Sequence, residues 1–312
     1  MSPHGLSQRQ KAIGAFLAVC LIWGTTYLAI RVTLETMPPF LMAGLRFTLA
    51  GALFAAGLAS RGRGLPAVRF WWPLTVMSFL LLVLGNGGVV WAEQYVTSGM
   101  TAVIVASNPY WMVGVEALAG GDRITGRALL GLTIGFSGIV LLVWPELGGG
   151  GATASGFVAG IVALQIACAG WAWGSSWSKR HTQDQDVFTT TALQMLLAGV
   201  MLLAVGTALG EWKDLRFSAR SVTAFFYLAT VGAIGGFAAY AYALKHLPMA
   251  LVSLYAYINP IIAVALGMLL LGEPFSARAG AAAAIVLAGV AFVRTPALEE
   301  RVPETARMNR SR

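Results

Sequence analysis

Apolar blocks of about twenty residues, almost without charge, succeed one another along this chain and leave only short polar turns between them. Twenty helical residues rise about 30 Å, the thickness of a bilayer's hydrocarbon core, and in that medium every backbone N–H and C=O must be satisfied within the protein. A run of such blocks therefore predicts an all-α integral membrane protein. Charged residues make up 11% of the 312 and hydrophobic ones 57%, with a mean hydropathy of +0.73, whereas a soluble domain carries about 25% charged residues. The blocks fall at 12–34, 40–59, 71–92, 98–119, 127–145, 154–177, 187–209, 221–243, 249–271 and 278–294, which predicts ten transmembrane helices. Turn chemistry separates them, at Met37-Pro38-Pro39, Gly120-Gly121-Asp122, His246-Leu247-Pro248 and Gly272-Glu273-Pro274. Arg9 and Lys11 ahead of an apolar run resemble a signal peptide. That run continues from Ala12 to about Leu34 without a small-residue cleavage site, so it is read as the first span.

The net charge of +8 could suggest a nucleic-acid partner, but Lys and Arg sit between apolar blocks and form no helical face, so none is expected. They read instead as a topology signal, because basic loops stay cytoplasmic. With the N-terminus inside, fifteen of the 21 basic residues fall on the inner side, and both termini are expected to be cytoplasmic. The segment 295–312, with alternating charge and little apolar content, reads as a disordered cytoplasmic tail. Cys20 and Cys168 lie inside apolar blocks, and no metal or cofactor site is indicated.

The sequence also repeats itself. At an offset of 151, Asn108-Pro109 aligns with Asn259-Pro260, Gly121-Asp122 with Gly272-Glu273, Thr125 with Ser276, and Gly138 with Gly289. At 150, Trp23-Gly24-Thr25 meets Trp173-Gly174-Ser175, and at 148 Ala50-Gly51 meets Ala198-Gly199. The expected units are residues 1–147 and 148–294, each of five helices. An odd number per half sends the second half into the membrane from the opposite side, giving two inverted repeats that can expose a central site alternately to each side.

At these residues the chain resembles the EamA-type transporters of the drug/metabolite transporter superfamily, in particular their YedA-like branch of bacterial inner-membrane exporters. The stretches that carry the resemblance are Ile22-Trp23-Gly24-Thr25-Thr26-Tyr27, Met42-Ala43-Gly44-Leu45-Arg46-Phe47, Gly85-Asn86-Gly87, Ala92-Glu93, Ser98-Gly99 and Tyr255-Ala256-Tyr257-Ile258-Asn259-Pro260. It implies a ten-helix, two-fold pseudosymmetric fold and efflux of amino acids, metabolites or drugs. Asn108 departs from that branch, where a less polar residue is expected before the proline.

The expected activity is alternating-access export of a small organic solute. A bidirectional carrier or importer is the alternative within transport. An intramembrane enzyme has little support, since His4, His181 and His246 fall in terminal or loop segments and no catalytic motif appears; a scaffold or receptor has as little. Candidate solute-binding residues are Trp23, Thr25, Asn86, Asn108, Trp111, Trp173, Tyr257 and Asn259: polar groups beside helix-breaking prolines and glycines, and mid-helix aromatics that suit a planar or cationic solute. Arg46, Glu93 and Glu116 are the gating or coupling candidates, because intramembrane charge is costly and so rarely idle. Arg46 lies about 10 Å deep in helix 2, with Glu93 within reach of it as an ion-pair latch, and Glu116 could carry a coupling proton or reach the interface. The partners expected are the solute, the lipid bilayer, protons if an acid in the bundle carries them, and, as one open arrangement, a second copy as a homodimer.

Overall fold

The computed structural model describes residues 7–119, 126–148, 152–182, 185–247, 252 and 255–294. Among them the chain forms helices and no strand. The helices are α1 (Gln8–Thr33), α2 (Pro39–Ala59), α3 (Val68–Ala92), α4 (Ser98–Val105 and Asn108–Leu118), α5 (Gly126–Gly148) and α6 (Ala152–His181). They continue with α7 (Val187–Ala208), α8 (Ala219–Tyr227, Leu228–Gly235 and Gly236–His246, continuous), α9 (Tyr255–Leu271) and α10 (Ala277–Arg294). Six stretches, in α1, α2, α3, α6, α7 and α8, are long and apolar enough to cross a membrane by length and composition. Shorter apolar stretches lie in α5, α9 and α10. The segment 295–312 and the first Gly-acid turn, Gly121 to Thr125, lie outside the described residues.

Capping residues set the helix starts. Ser7 and Gln10 form a reciprocal capping box, Gln10 N to Ser7 Oγ 3.2 Å and Ser7 N to Gln10 Oε1 2.8 Å, so α1 begins a turn before Ala12. Asp186 accepts from Thr189 N (3.0 Å) to open α7. The second Gly-acid turn does three jobs. Gly272, at φ +64°, ends α9 in a conformation that disfavours a side chain. Glu273 accepts from Ser98 N (2.9 Å), Ser98 Oγ (2.9 Å) and Gly99 N (3.2 Å), capping α4 across the bundle, and Ser276 accepts from Ala279 N (3.1 Å) to cap α10.

Helix pairing follows the repeat. The helix α2 packs along α7, and α5 packs along α10, each helix against its own repeat mate; α1 lies on α8 and α9 as α6 lies on α3 and α4. Lipid offers helices no hydrophobic reward for association, so close backbone approach through small residues has to supply it. The repeated glycines mark those contacts. A Cβ on Gly51 would lie 2.8 Å from Leu196 N, one on Gly199 2.6 Å from Thr48 N, and one on Gly138 2.9 Å from Ala282 O. Outside the bundle Leu17, Leu21, Leu130, Ile166 and Leu269 stand exposed, as side chains facing acyl chains should.

Polar contacts gather at two ends. One end joins Arg63 to Asp186, Lys179 to Glu116 (3.7 Å) and Arg180 to the Ala119 carbonyl (3.1 Å). The other joins Arg220 to Glu35 (3.3 Å), Thr36 to Ser221 (2.6 Å), and Glu211 to the N–H groups of Leu41 (2.8 Å) and Phe40 (3.4 Å). Each link ties segments that alternate crossing puts on the same side.

Three departures from regular helix appear that hydropathy does not foretell. Helix α4 is interrupted at Ala106 and Ser107, just before Asn108-Pro109. Pro109 has no N–H for the carbonyl four residues back, and the Cys168 thiol of α6 lies 3.9 Å from that Val105 oxygen. In α3 and α8 the stretches Phe79–Gly87 and Leu228–Gly235 are π-helical, in corresponding places of the two halves. Such wide turns are rare and are found mostly at functional sites.

Candidate functional site

Between the halves lies a cavity of about 120 Å³, room for several waters or a small solute. Its wall is contributed by α1, α2, α3, α4, α6, α8 and α9, and both π-helical stretches reach it, through Gly85 and Asn86 on one side and Gly232 and Ala233 on the other. The α1 contribution, Trp23, Thr26, Tyr27 and Ile30, has the three- and four-residue spacing of one helical face. Phe47, Trp171, Phe237 and Tyr255 make much of the rest apolar and aromatic.

Trp23 is held by rings from the second half: Phe237 at 5.4 Å edge-on, Tyr240 at 5.1 Å tilted and Tyr255 at 5.1 Å edge-on, with Tyr240 and Tyr255 themselves at 5.9 Å. Such edge-on pairs contribute about 0.5–1.5 kcal/mol each beyond their area. They fix a rigid aromatic wall at the α1–α8–α9 junction.

The polar part of the wall is Arg46, Asn86, Asn108 and Asn259. Arg46 is 4% exposed; it donates to Asn86 Oδ1, and its Nε has no partner. Its guanidinium carbon lies 4.3 Å from the Phe47 ring centroid. The Asn108 Oδ1 is buried and unpartnered. Asn259, with its amide nitrogen turned toward its acceptors, donates to the carbonyls of Tyr255 and of Cys20 on α1, both at 3.1 Å. It thus ties the proline-bearing α9 to α1 while still bordering the cavity.

Four of the eight expected solute contacts, Trp23, Asn86, Asn108 and Asn259, therefore meet on one surface. Thr25 points elsewhere on α1 and shares a hydrogen bond with the Tyr227 hydroxyl. Trp111 bridges to α6, donating to Gln165 Oε1 at 2.9 Å, and does not border the cavity. Trp173 is 44% exposed and away from the cavity. The Tyr257 side chain falls outside the described residues. Tyr27 and Trp171 take the places that Thr25 and Trp173 were expected to fill; positions two apart on a helix face about 200° apart.

Of the ionisable candidates, Arg46 borders the cavity and the other two do not. The ion pair expected between Arg46 and Glu93 does not form. Arg46 turns to Asn86, while Glu93, in the turn after α3, is 0% exposed with neither carboxylate oxygen hydrogen-bonded. Arg31 reaches the Glu93 backbone carbonyl, and Glu35, at the same level, pairs with Arg220. Glu116 is partly exposed in its pair with Lys179, as a group reaching toward the interface would be. Among the described residues no cluster of His, Cys, Asp and Glu could hold a metal ion.

Apolar helices surrounding a mostly apolar, aromatic-walled cavity with a few polar groups, with both sequence repeats contributing to the wall, define a membrane solute transporter. The model of the EamA-like transporter family matches the chain twice, over residues 10–144 and 158–295, and the chain belongs to that family. It is 37% identical over 283 residues, 90% of this chain and 89% of the relative, to the inner membrane transporter YedA of Escherichia coli K12. It is 25% identical to a chloroplastic WAT1-related protein of Arabidopsis thaliana, over 88% of this chain and 67% of that one. A solved crystal structure superposes with a TM-score of 0.65 at 22% identity, covering 92% of this chain and 98% of that one, a likeness of fold. The family and its YedA relative are transporters, not enzymes.

Proposed function

We propose that the protein is an alternating-access exporter of small organic solutes, crossing a bacterial inner membrane ten times as two inverted repeats with both termini cytoplasmic. The observation that carries this reading is the shared cavity: three helices of the second half and four of the first converge on one wall. Rocking of the halves about the self-paired contacts α2–α7 and α5–α10 would open that wall to one side and then the other. The π-helical stretches supply a compliant turn on each side of the cavity. Trp23, Asn86, Asn108 and Asn259 hold the solute. Arg46 and Glu93 act in gating or coupling, Glu93 as the buried carboxylate that carries the proton.

The test is efflux of labelled amino acids and cationic dyes from loaded proteoliposomes of the purified protein, with and without an imposed pH gradient. Gradient-dependent loss of one compound class supports proton-coupled export. Equal flux in both directions without a gradient would make the protein a facilitated carrier, and no flux from well-folded protein would overturn the transport cycle.

A further inference from the structure

The charge on the cavity wall is one-sided. Of the described residues that border it, Arg46 is the one with a full charge, and no carboxylate stands beside it. Among the described residues its one hydrogen-bond partner is the neutral amide of Asn86, its Nε is unpaired, and no acid forms an ion pair with it. A guanidinium 4% exposed in a membrane protein's interior is costly unless an anion answers it. Glu93, the buried acid of this region, makes no hydrogen bond to it and does not reach the cavity. Phe47 lies beside Arg46, and Trp23, Tyr27 and Trp171 line the same cavity, offering rings and apolar edges to whatever carries the anion.

From this juxtaposition we propose that the transported solute is a monocarboxylate with an apolar, ring-sized body, its carboxylate neutralising Arg46 and its body lying on the aromatic wall, and that organic cations are excluded. A planar carboxylate matches the fork of a guanidinium and can accept two parallel N–H bonds from it. A cation would place like charge beside Arg46, and Glu93, whose charge is felt at Arg46, does not border the cavity to pair with it. Asn108 Oδ1, unpartnered in the same wall, adds one acceptor for a donor on the solute body. The inference rests on the cavity being the transport site.

Binding separates it from that reading. Radiolabelled phenylacetate is titrated onto the purified protein by scintillation proximity and competed with unlabelled phenylacetate, phenylacetamide and benzylammonium, three solutes of one size and different head charge. Phenylacetate is expected to compete at least tenfold better than the other two. Arg46→Gln should erase that difference and Arg46→Lys, which keeps the charge but not the fork, should retain part of it, a comparison that holds even if one variant folds poorly. No phenylacetate binding to folded protein, equal competition by benzylammonium, or an unchanged preference in Arg46→Gln overturns the proposal. Counterflow in proteoliposomes then tells the two readings apart: phenylacetate bound but never moved defeats the transport reading, whereas benzylammonium moved and phenylacetate unbound defeats the carboxylate site alone.

Discussion

Arg46 on α2 donates a hydrogen bond to the side-chain oxygen of Asn86 on α3, and among the described residues that amide is its one hydrogen-bond partner. The bond joins a buried cation to a π-helical stretch, so the geometry of the wall and the placement of its charge depend on one contact.

Asn86→Ala should leave the guanidinium without a partner, at a cost of about 1–3 kcal/mol, and lower the melting temperature in detergent. Asn86→Asp puts a carboxylate at the same spot. It should melt no lower than the parent yet bind solute poorly, because it answers the charge internally. Thermal melts and ligand binding on the three proteins check this, and an Asn86→Asp protein that melts below Asn86→Ala would show that Arg46 does not rely on this contact.

Helix approach gives a second prediction. Gly51→Val and Gly138→Val place side chains against Leu196 N and Ala282 O of the repeat mate, contacts already 2.8 and 2.9 Å from a bare Cβ, and should reduce the yield of monodisperse protein sharply. Gly14 and Gly114 have nothing within 4 Å, so Ala at either should be neutral or stabilise by up to about 1 kcal/mol through helix propensity. Size-exclusion profiles of the four variants decide it, and a tolerated Gly138→Val would mean that the α5–α10 contact can open.

These glycines also show what the sequence makes legible. Gly51 with Gly199, and Gly138 with Gly289, stand out as self-similar positions because duplication preserved them, and they prove to be where a helix meets its own mate. The Gly272-Glu273 turn was visible as a repeat, but its cap on α4 joins residues 175 apart in sequence and depends on tertiary placement. The π-helical stretches have no compositional mark, since a wide turn is a choice of backbone register settled by packing. The break at Ala106 and Ser107 is marked only by the proline after it, which does not say whether a helix will kink or stop. In the site, polar residues beside Gly or Pro were found and the aromatics were half missed. Trp171 and Trp173 are equally apolar, and only the face of α6 tells the cavity from the lipid.

Glu93 is the clearest test of coupling. Its oxygens make no hydrogen bonds, so Glu93→Gln removes charge without breaking a bond and should leave folded yield and melting temperature close to the parent's. If the carboxylate carries the coupled proton, efflux by the variant should lose its response to an imposed pH gradient. Retained gradient dependence removes Glu93 from coupling, and loss of folded protein would assign it instead to balancing Arg31 and Arg46.

Glu211, in the turn after α7, provides a pH test outside the membrane spans. Burial pushes its carboxyl above the usual carboxylate range; the N–H groups of Leu41 and Phe40, which favour the ionised form, offset this in part, and the charge of nearby Asp214 adds to the rise. A group that holds its proton more tightly folded than unfolded contributes stability that is full below its unfolded value and is lost as pH rises through the folded one. Glu211→Gln does not titrate and keeps one oxygen to accept from the start of α2. The melting temperature of the parent minus that of Glu211→Gln should therefore fall between about pH 4 and about pH 7. Melts at unit steps across that range measure it, and a difference that grows with pH would mean that the two N–H bonds outweigh burial at this cap.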